Sequence, residues 1–134
     1  IIHCGEEKLA AMGEWCQQHH GASGLTQACA ESTISLEEAE KQVLAYVKKH
    51  CNEKEALLCG NSIWIDKTFI NKQMPELYDF FGYRIIDVTS VKELAARWNS
   101  SLIPPAKKES HRALDDIKES IEELRFYKNN IFNS

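Results

Sequence analysis

Apolar residues recur along the chain at two spacings, and their alternation predicts most of its elements. Leu9, Met12 and Cys16 share one face of a helix predicted over Glu6 to His19, which Gly21-Ala22-Ser23-Gly24 ends. A second helix is predicted from Leu36 to Lys49. Ser35 is its N-cap and Glu38 completes a capping box, while Leu36, Ala39, Val43, Leu44 and Val47 make the apolar stripe. Ala56 to Gly60 is a short apolar run ending in glycine, which reads as a buried strand. A helix follows from about Trp64 to Lys72, and Pro75 opens a shorter one over Glu76 to Phe81. Arg84 to Val88 reads as a second strand. Thr89 is expected to cap the next helix, with Leu94, Ala95 and Trp98 facing inward. Residues 99–108, with Pro104-Pro105, form a linker before a long helix from Arg112 to Asn129.

Strands alternating with helices predict an α/β fold. Only two strands are convincing, together with Ile1 to Cys4, which reads as the end of another; two strands make a poor sheet for 134 residues, so the central sheet is expected to be incomplete. The length suits one domain. Hydrophobic (43%) and charged (27%) fractions are those of a soluble globular protein, and no apolar run approaches the roughly 18 residues that would span a bilayer. Ile1 to Gly5 lacks the basic start and apolar stretch of a signal peptide. A net charge of −4 argues against coating long nucleic acid through a basic surface, although bound metal ions can offset carboxylates at a site. Five cysteines, an odd number with no C-x-x-C pair, fit a reduced, intracellular protein better than a disulfide framework.

Candidate chemistry begins at Ser110-His111-Arg112-Ala113-Leu114-Asp115-Asp116. Helix geometry separates the two acids. Asp115 shares a face with Lys118, Glu119 and Glu122, whereas Asp116 lies beside Ser120, about a quarter-turn from the stripe of Ala113, Ile117, Ile121 and Leu124. A carboxylate at the edge of a core needs a partner, either a cation of a salt bridge or a bound metal. Asp66 stands a few residues past the first strand's end, where open sheets build their sites; a first-turn acid favoured by the helix dipole is the ordinary alternative.

Taken together, G-N-S-x-x-x-D-x-x-F at Gly60 to Phe69, M-P-E-L at Met74 to Leu77, Y-R-I-I-D-V-T-S-V-K-E-L-A-A-R-W at Tyr83 to Trp98 and S-H-R-A-L-D-D-I-x-E-S-I-x-E-L from Ser110 resemble the oligoribonuclease family. This is the histidine-type branch of the four-carboxylate 3′→5′ exonucleases. The resemblance covers essentially the whole chain and implies an RNase H-like exonuclease fold, with residues 1–134 as the C-terminal three-quarters of one exonuclease domain. It implies hydrolysis of short single-stranded RNAs, down to dinucleotides, with two divalent ions, Mg²⁺ or Mn²⁺. The family's third and last carboxylates fall on Asp66 and Asp116, its metal ligands here, and its general base falls on His111, a residue type whose ordinary pKa suits taking a proton from water. Trp15 matches an aromatic that holds the terminal bases; His20, Ser62 and Thr89 match residues gripping the strand end, the family having Ser where Thr89 stands. Tyr83 and Arg84 match a pair that reaches across a homodimer into the neighbour's site. The compartment implied is cytoplasmic, mitochondrial or both.

One family motif does not occur. A strand carrying D-[LM]-E-[MT]-T-G should supply the first two carboxylates, yet Glu6-Glu7, Glu37-Glu38 and Glu53 to Glu55 all stand in polar surroundings and none follows an apolar strand. The chain is therefore expected to be N-terminally truncated relative to the family domain. Asp66 and Asp116 offset only half the charge of two divalent ions, so these 134 residues alone are expected to hold metal poorly and to be inactive. One rival is a non-catalytic relative that binds nucleotides or dimerises. Another is a small zinc protein built on Cys16, His19, His20 and one of His3, Cys4 or Cys29; a core-facing cysteine beside surface histidines outweighs it.

Overall fold

Each predicted apolar run finds a place in the computed structural model, which describes residues 1–106 and 113–132, although several runs present a different face from the one the spacing favours. In order the elements are α1 (Glu6–Ala10), α2 (Glu14–Ala22), α3 (Leu25–Glu31), α4 (Leu36–Val47), β1 (Leu58–Gly60), α5 (Ile63–Gln73), α6 (Pro75–Phe80), β2 (Ile85–Asp87), α7 (Val88–Trp98) and α8 (Ala113–Tyr127), which continues as a π-helical turn, Lys128–Phe132. This is the expected α/β class. Among the described residues β1 and β2 form a two-stranded parallel sheet, with Leu58 opposite Ile85, Cys59 opposite Ile86 and Gly60 opposite Asp87.

Ile1 to Cys4 does not join the sheet. It runs extended along the third helix, His3 N–H donating to Ile34 O at 2.8 Å and Cys4 N–H to Cys29 O at 3.0 Å. The single helix expected from Glu6 to His19 is two, because Gly13 adopts an extended backbone between α1 and α2; Leu9, Met12 and Cys16 are nevertheless all half-buried. Past α2, Gly24 takes a left-handed φ of 76°, free for glycine and strained for other residues, and so turns the chain into α3.

The core sits where α4, α5 and α6 meet. Leu44, Leu77 and Phe80 are buried, with Val47, Cys51, Ile70, Met74 and Phe81 packed around them. Ser35 caps α4 as expected, accepting from Glu38 N–H at 3.1 Å. Its buried side differs from the predicted stripe: Val43 is exposed, and Ala39, Glu40 and Leu44 are inside. Glu40 is drawn in because its carboxylate accepts Leu77 N–H at 3.0 Å, supplying α6 with a cap from another helix. The same correction applies to α7. Leu94 and Trp98 face solvent, whereas Val88 and Ala95 are buried, because β1 and α8 pack against the Val88–Ala95 side. Its N-cap is Asp87, which accepts Thr89 N–H at 2.9 Å, and not Thr89.

Candidate active site at the end of β1

The first strand ends in Gly60, and the chain must reverse there to enter α5. A Cβ on Gly60 would stand 3.3 Å from Ile63 Cδ1, tighter than most side-chain contacts. Ser62 makes the turn in a left-handed conformation, φ 52°, which a non-glycine residue holds only when its surroundings enforce it. They do. Ser62 N–H donates to Asp87 Oδ1 at 3.0 Å and to Thr89 Oγ1 at 2.9 Å, and the Ser62 and Thr89 hydroxyls lie 3.2 Å apart. Asp87 Oδ1 also takes Thr89 N–H, so one carboxylate oxygen ties the ends of both strands.

This turn and α8 enclose an open cavity of about 790 Å³, lined by Cys59 and Gly60 of β1, Ile63 and Asp66 of α5, and Asp116, Ile117 and Ile121 of α8 among others. The two candidate metal ligands thus face one cavity, with the C-terminal end of a parallel strand as its floor, the position where α/β sheets build sites. Two carboxylates offer the hard oxygens that Mg²⁺ or Mn²⁺ takes. Among the described residues, however, no three His, Cys, Asp or Glu side chains stand close enough to hold an ion together. The residues described fit part of a divalent-metal site and do not complete one. For the same reason the zinc set of Cys16, His19 and His20 is not assembled among the described residues.

Along α8 the inner face is displaced from the predicted stripe. Ile117 and Ile121 are 56% and 46% exposed, while Glu123 and Tyr127 are buried and Ser120 half-buried. Asp116, Ser120, Glu123 and Tyr127 follow one another at helical spacing, so Asp116 continues the inward line to the cavity mouth and is itself exposed there. Ser120 Oγ donates to Asp116 O at 2.8 Å. His111 lies outside the described residues.

The remaining candidates occupy separate places. Trp15, half-exposed on α2, stacks on His19 with ring centroids 4.0 Å apart and meets His20 edge-on at 6.2 Å. Tyr83 is 79% exposed, with the Arg84 guanidinium 4.7 Å over its ring. Lys67, next to Asp66, donates its ammonium to the carbonyls of Gly82 and Tyr83 and so holds that loop against α5. Burial, then the Asp87 carboxylate, pushes the Cys59 thiol up, which makes it a poor nucleophile beside the cavity.

Hydrophobic periodicity missed two residues here. Asn61, after Gly60, donates from Nδ2 to Glu123 Oε2 at 3.0 Å. Their signal was an amide directly behind a strand's last glycine and a glutamate in helical line with Asp116 and Tyr127.

An exonuclease family model, described as "Exonuclease", matches residues 2–124. An oligoribonuclease of Marinobacter nauticus is 52% identical over 132 residues, covering 98% of this chain and 73% of the relative. The human mitochondrial oligoribonuclease is 50% identical over 98% of the chain and 56% of its own length, and an Arabidopsis thaliana oligoribonuclease is 47% identical over 100% and 61%. The chain therefore spans between about half and three quarters of the curated relatives it matches. On this evidence the chain belongs to the oligoribonuclease family of exonucleases.

Proposed function

We propose that these residues form part of a 3′→5′ exoribonuclease site that degrades short oligoribonucleotides to mononucleotides. The observation that carries the reading is the convergence of Asp66 and Asp116 on one cavity at the end of β1, in a chain about half identical to proteins named oligoribonuclease. In this reading Asp66 and Asp116 are metal ligands for Mg²⁺ or Mn²⁺, which when bound would activate water and stabilise the leaving oxygen. His111 is the general base. Trp15 packs on terminal bases; His20, Ser62 and Thr89 line the grip on the strand end. For Ser62 and Thr89 this means acting from a turn they also lock. Tyr83 and Arg84, exposed and stacked together, serve a second copy of the chain in a homodimer.

Residues 1–134 are read as the larger part of one RNase H-like exonuclease domain. The compartment proposed is the interior of the cell, cytoplasm or mitochondria; no described helix is long and apolar enough to cross a membrane, and relatives include proteins named as mitochondrial. A second reading, a binding module without catalysis, is favoured by the lack of any D-x-E strand motif in these residues. It applies to the 134-residue polypeptide alone, which we expect to release no mononucleotides.

Joining the chain to a strand segment carrying D-x-E tests both readings. With Mg²⁺ or Mn²⁺, the hybrid should shorten a five-nucleotide RNA from its 3′ end. His111→Ala should slow it by about 10²–10⁴-fold, and Asp66→Asn or Asp116→Asn should abolish it, while Asp115→Asn should not. Hydrolysis by the unmodified chain would overturn the inactivity claim. Activity indifferent to Asp116 would overturn the site.

A further inference from the structure

We propose that Asn61 and Glu123 are a positioning pair that fixes the rotation of α8, so that Asp116 faces the cavity Asp66 lines. The pair bears on catalysis through the exonuclease reading above, but the placement it enforces can be tested without it. Glu123 is 3% exposed, a depth at which a carboxylate is costly unless hydrogen-bonded. Its Oε2 accepts Asn61 Nδ2 at 3.0 Å and its Oε1 the Tyr127 hydroxyl at 3.4 Å, a residue itself 1% exposed. Apolar side chains in place of all three groups would fill that face about as stably. What the carboxylate adds is direction.

The donor is itself fixed. Asn61 lies between Gly60, the last residue of β1, and Ser62, whose N–H is held by Asp87 and Thr89. Among the described residues Asn61 Oδ1 is buried without a hydrogen-bond partner, and the bond from Nδ2 to Glu123 is the one this side chain makes. Asp116 precedes Glu123 by seven residues, which at about 100° per residue returns to within about 20° of the same face. Turning α8 by one residue, about 100°, would break the Asn61 bond and swing Asp116 away from the cavity. Ile117 and Ile121, each about half exposed, contribute little to that angle, and the buried side chain that anchors the helix one turn on, Tyr127, is itself bonded to Glu123.

Residual dipolar couplings on the ¹⁵N-labelled 134-residue chain read the angle directly. In the unsubstituted protein and in Glu123→Gln, which keeps an acceptor for Asn61, the amides of α5 and α8 should fit one common orientation. In Glu123→Ala and Asn61→Ala, α8 should need an orientation of its own while helical circular dichroism is retained. Should Glu123→Ala fail to fold, Asn61→Ala carries the test. A common orientation in the alanine variants, or Glu123→Gln behaving like Glu123→Ala, would overturn the proposal. A parallel titration with Mn²⁺ alone follows line broadening. Equal broadening about Asp66 and Asp116, with the concentration needed at Asp116 rising about tenfold in Glu123→Ala, supports both pair and metal reading. No broadening at either, with the couplings as expected, is the weak metal binding expected of these 134 residues alone and leaves the pair standing.

Discussion

Replacing Glu40 by alanine should destabilise the fold far more than its position on a charged helix suggests. Glu40 is 8% exposed, and its carboxylate accepts the N–H of Leu77, the third residue of α6. Helix α6 begins at Pro75 and has no side-chain cap of its own, so Glu40 serves one of its free N–H groups and places negative charge at its positive end. A hydrogen bond to a charged group contributes about 1.5–3 kcal/mol, and losing it leaves Leu77 N–H without its acceptor, beside a side chain only 3% exposed. We therefore expect Glu40→Ala to cost about 2–3 kcal/mol. That is a large part of the roughly 5–15 kcal/mol that holds a domain of this kind. With a urea slope of about 2 kcal/mol per molar, the unfolding midpoint should fall by about 1–1.5 M. Glu40→Gln keeps the acceptor and loses the charge, so it should cost about 0.3–1 kcal/mol. Urea titration followed by circular dichroism measures both. An alanine variant within about 0.5 kcal/mol of the parent, the range of an ordinary surface change, would refute the capping argument.

Two further outcomes follow from raised ionisations. Burial and then Asp87 hold the Cys59 thiol above its usual range, so its alkylation by iodoacetamide should rise with pH at a higher midpoint in the folded chain than in urea; equal midpoints would sink the assignment. Burial, then the Glu123 carboxylate, raises the Tyr127 phenol, so its phenolate absorbance should appear at higher pH than that of an exposed tyrosine and move down in Glu123→Gln. In both cases the proton is held more tightly in the folded state, so the stabilisation is complete below the ordinary unfolded pKa and is lost as pH rises through the raised value.

What could be read from the sequence was what local chemistry decides. Ser35 before Leu36 caps α4, Pro75 opens α6, and the apolar runs at Ala56 to Gly60 and Arg84 to Val88 contain β1 and β2. The faces of the helices were harder, because a helix with apolar residues on two sides does not state which side is covered. On α7 the neighbours β1 and α8 chose Val88 and Ala95 over Leu94 and Trp98. Buried carboxylates were the hardest. Glu40 and Glu123 belong by composition to the solvated side, and what brings them in are partners 37 and 62 positions away. At the candidate site Asp66 and Asp116 were found by placement after a strand end and by helix face, and they do line one cavity. The stripe behind that argument ran instead through Glu123 and Tyr127, so Asp116 sits closer to the inward line than the reasoning required.

The shared oxygen of Asp87 has a consequence for anyone who would transplant this site. Because it takes the amides of Ser62 and Thr89 together, while the Thr89 hydroxyl holds the Ser62 amide a second time, the two strand-end loops are one rigid fitting. Moving residues 60–66 into another scaffold without 87–89 would leave Ser62 free to abandon its left-handed turn, and Asp66 would lose its aim. Substitutions at Ser62, Asp87 and Thr89 should also fail to add, since each residue shares its bonds with the other two.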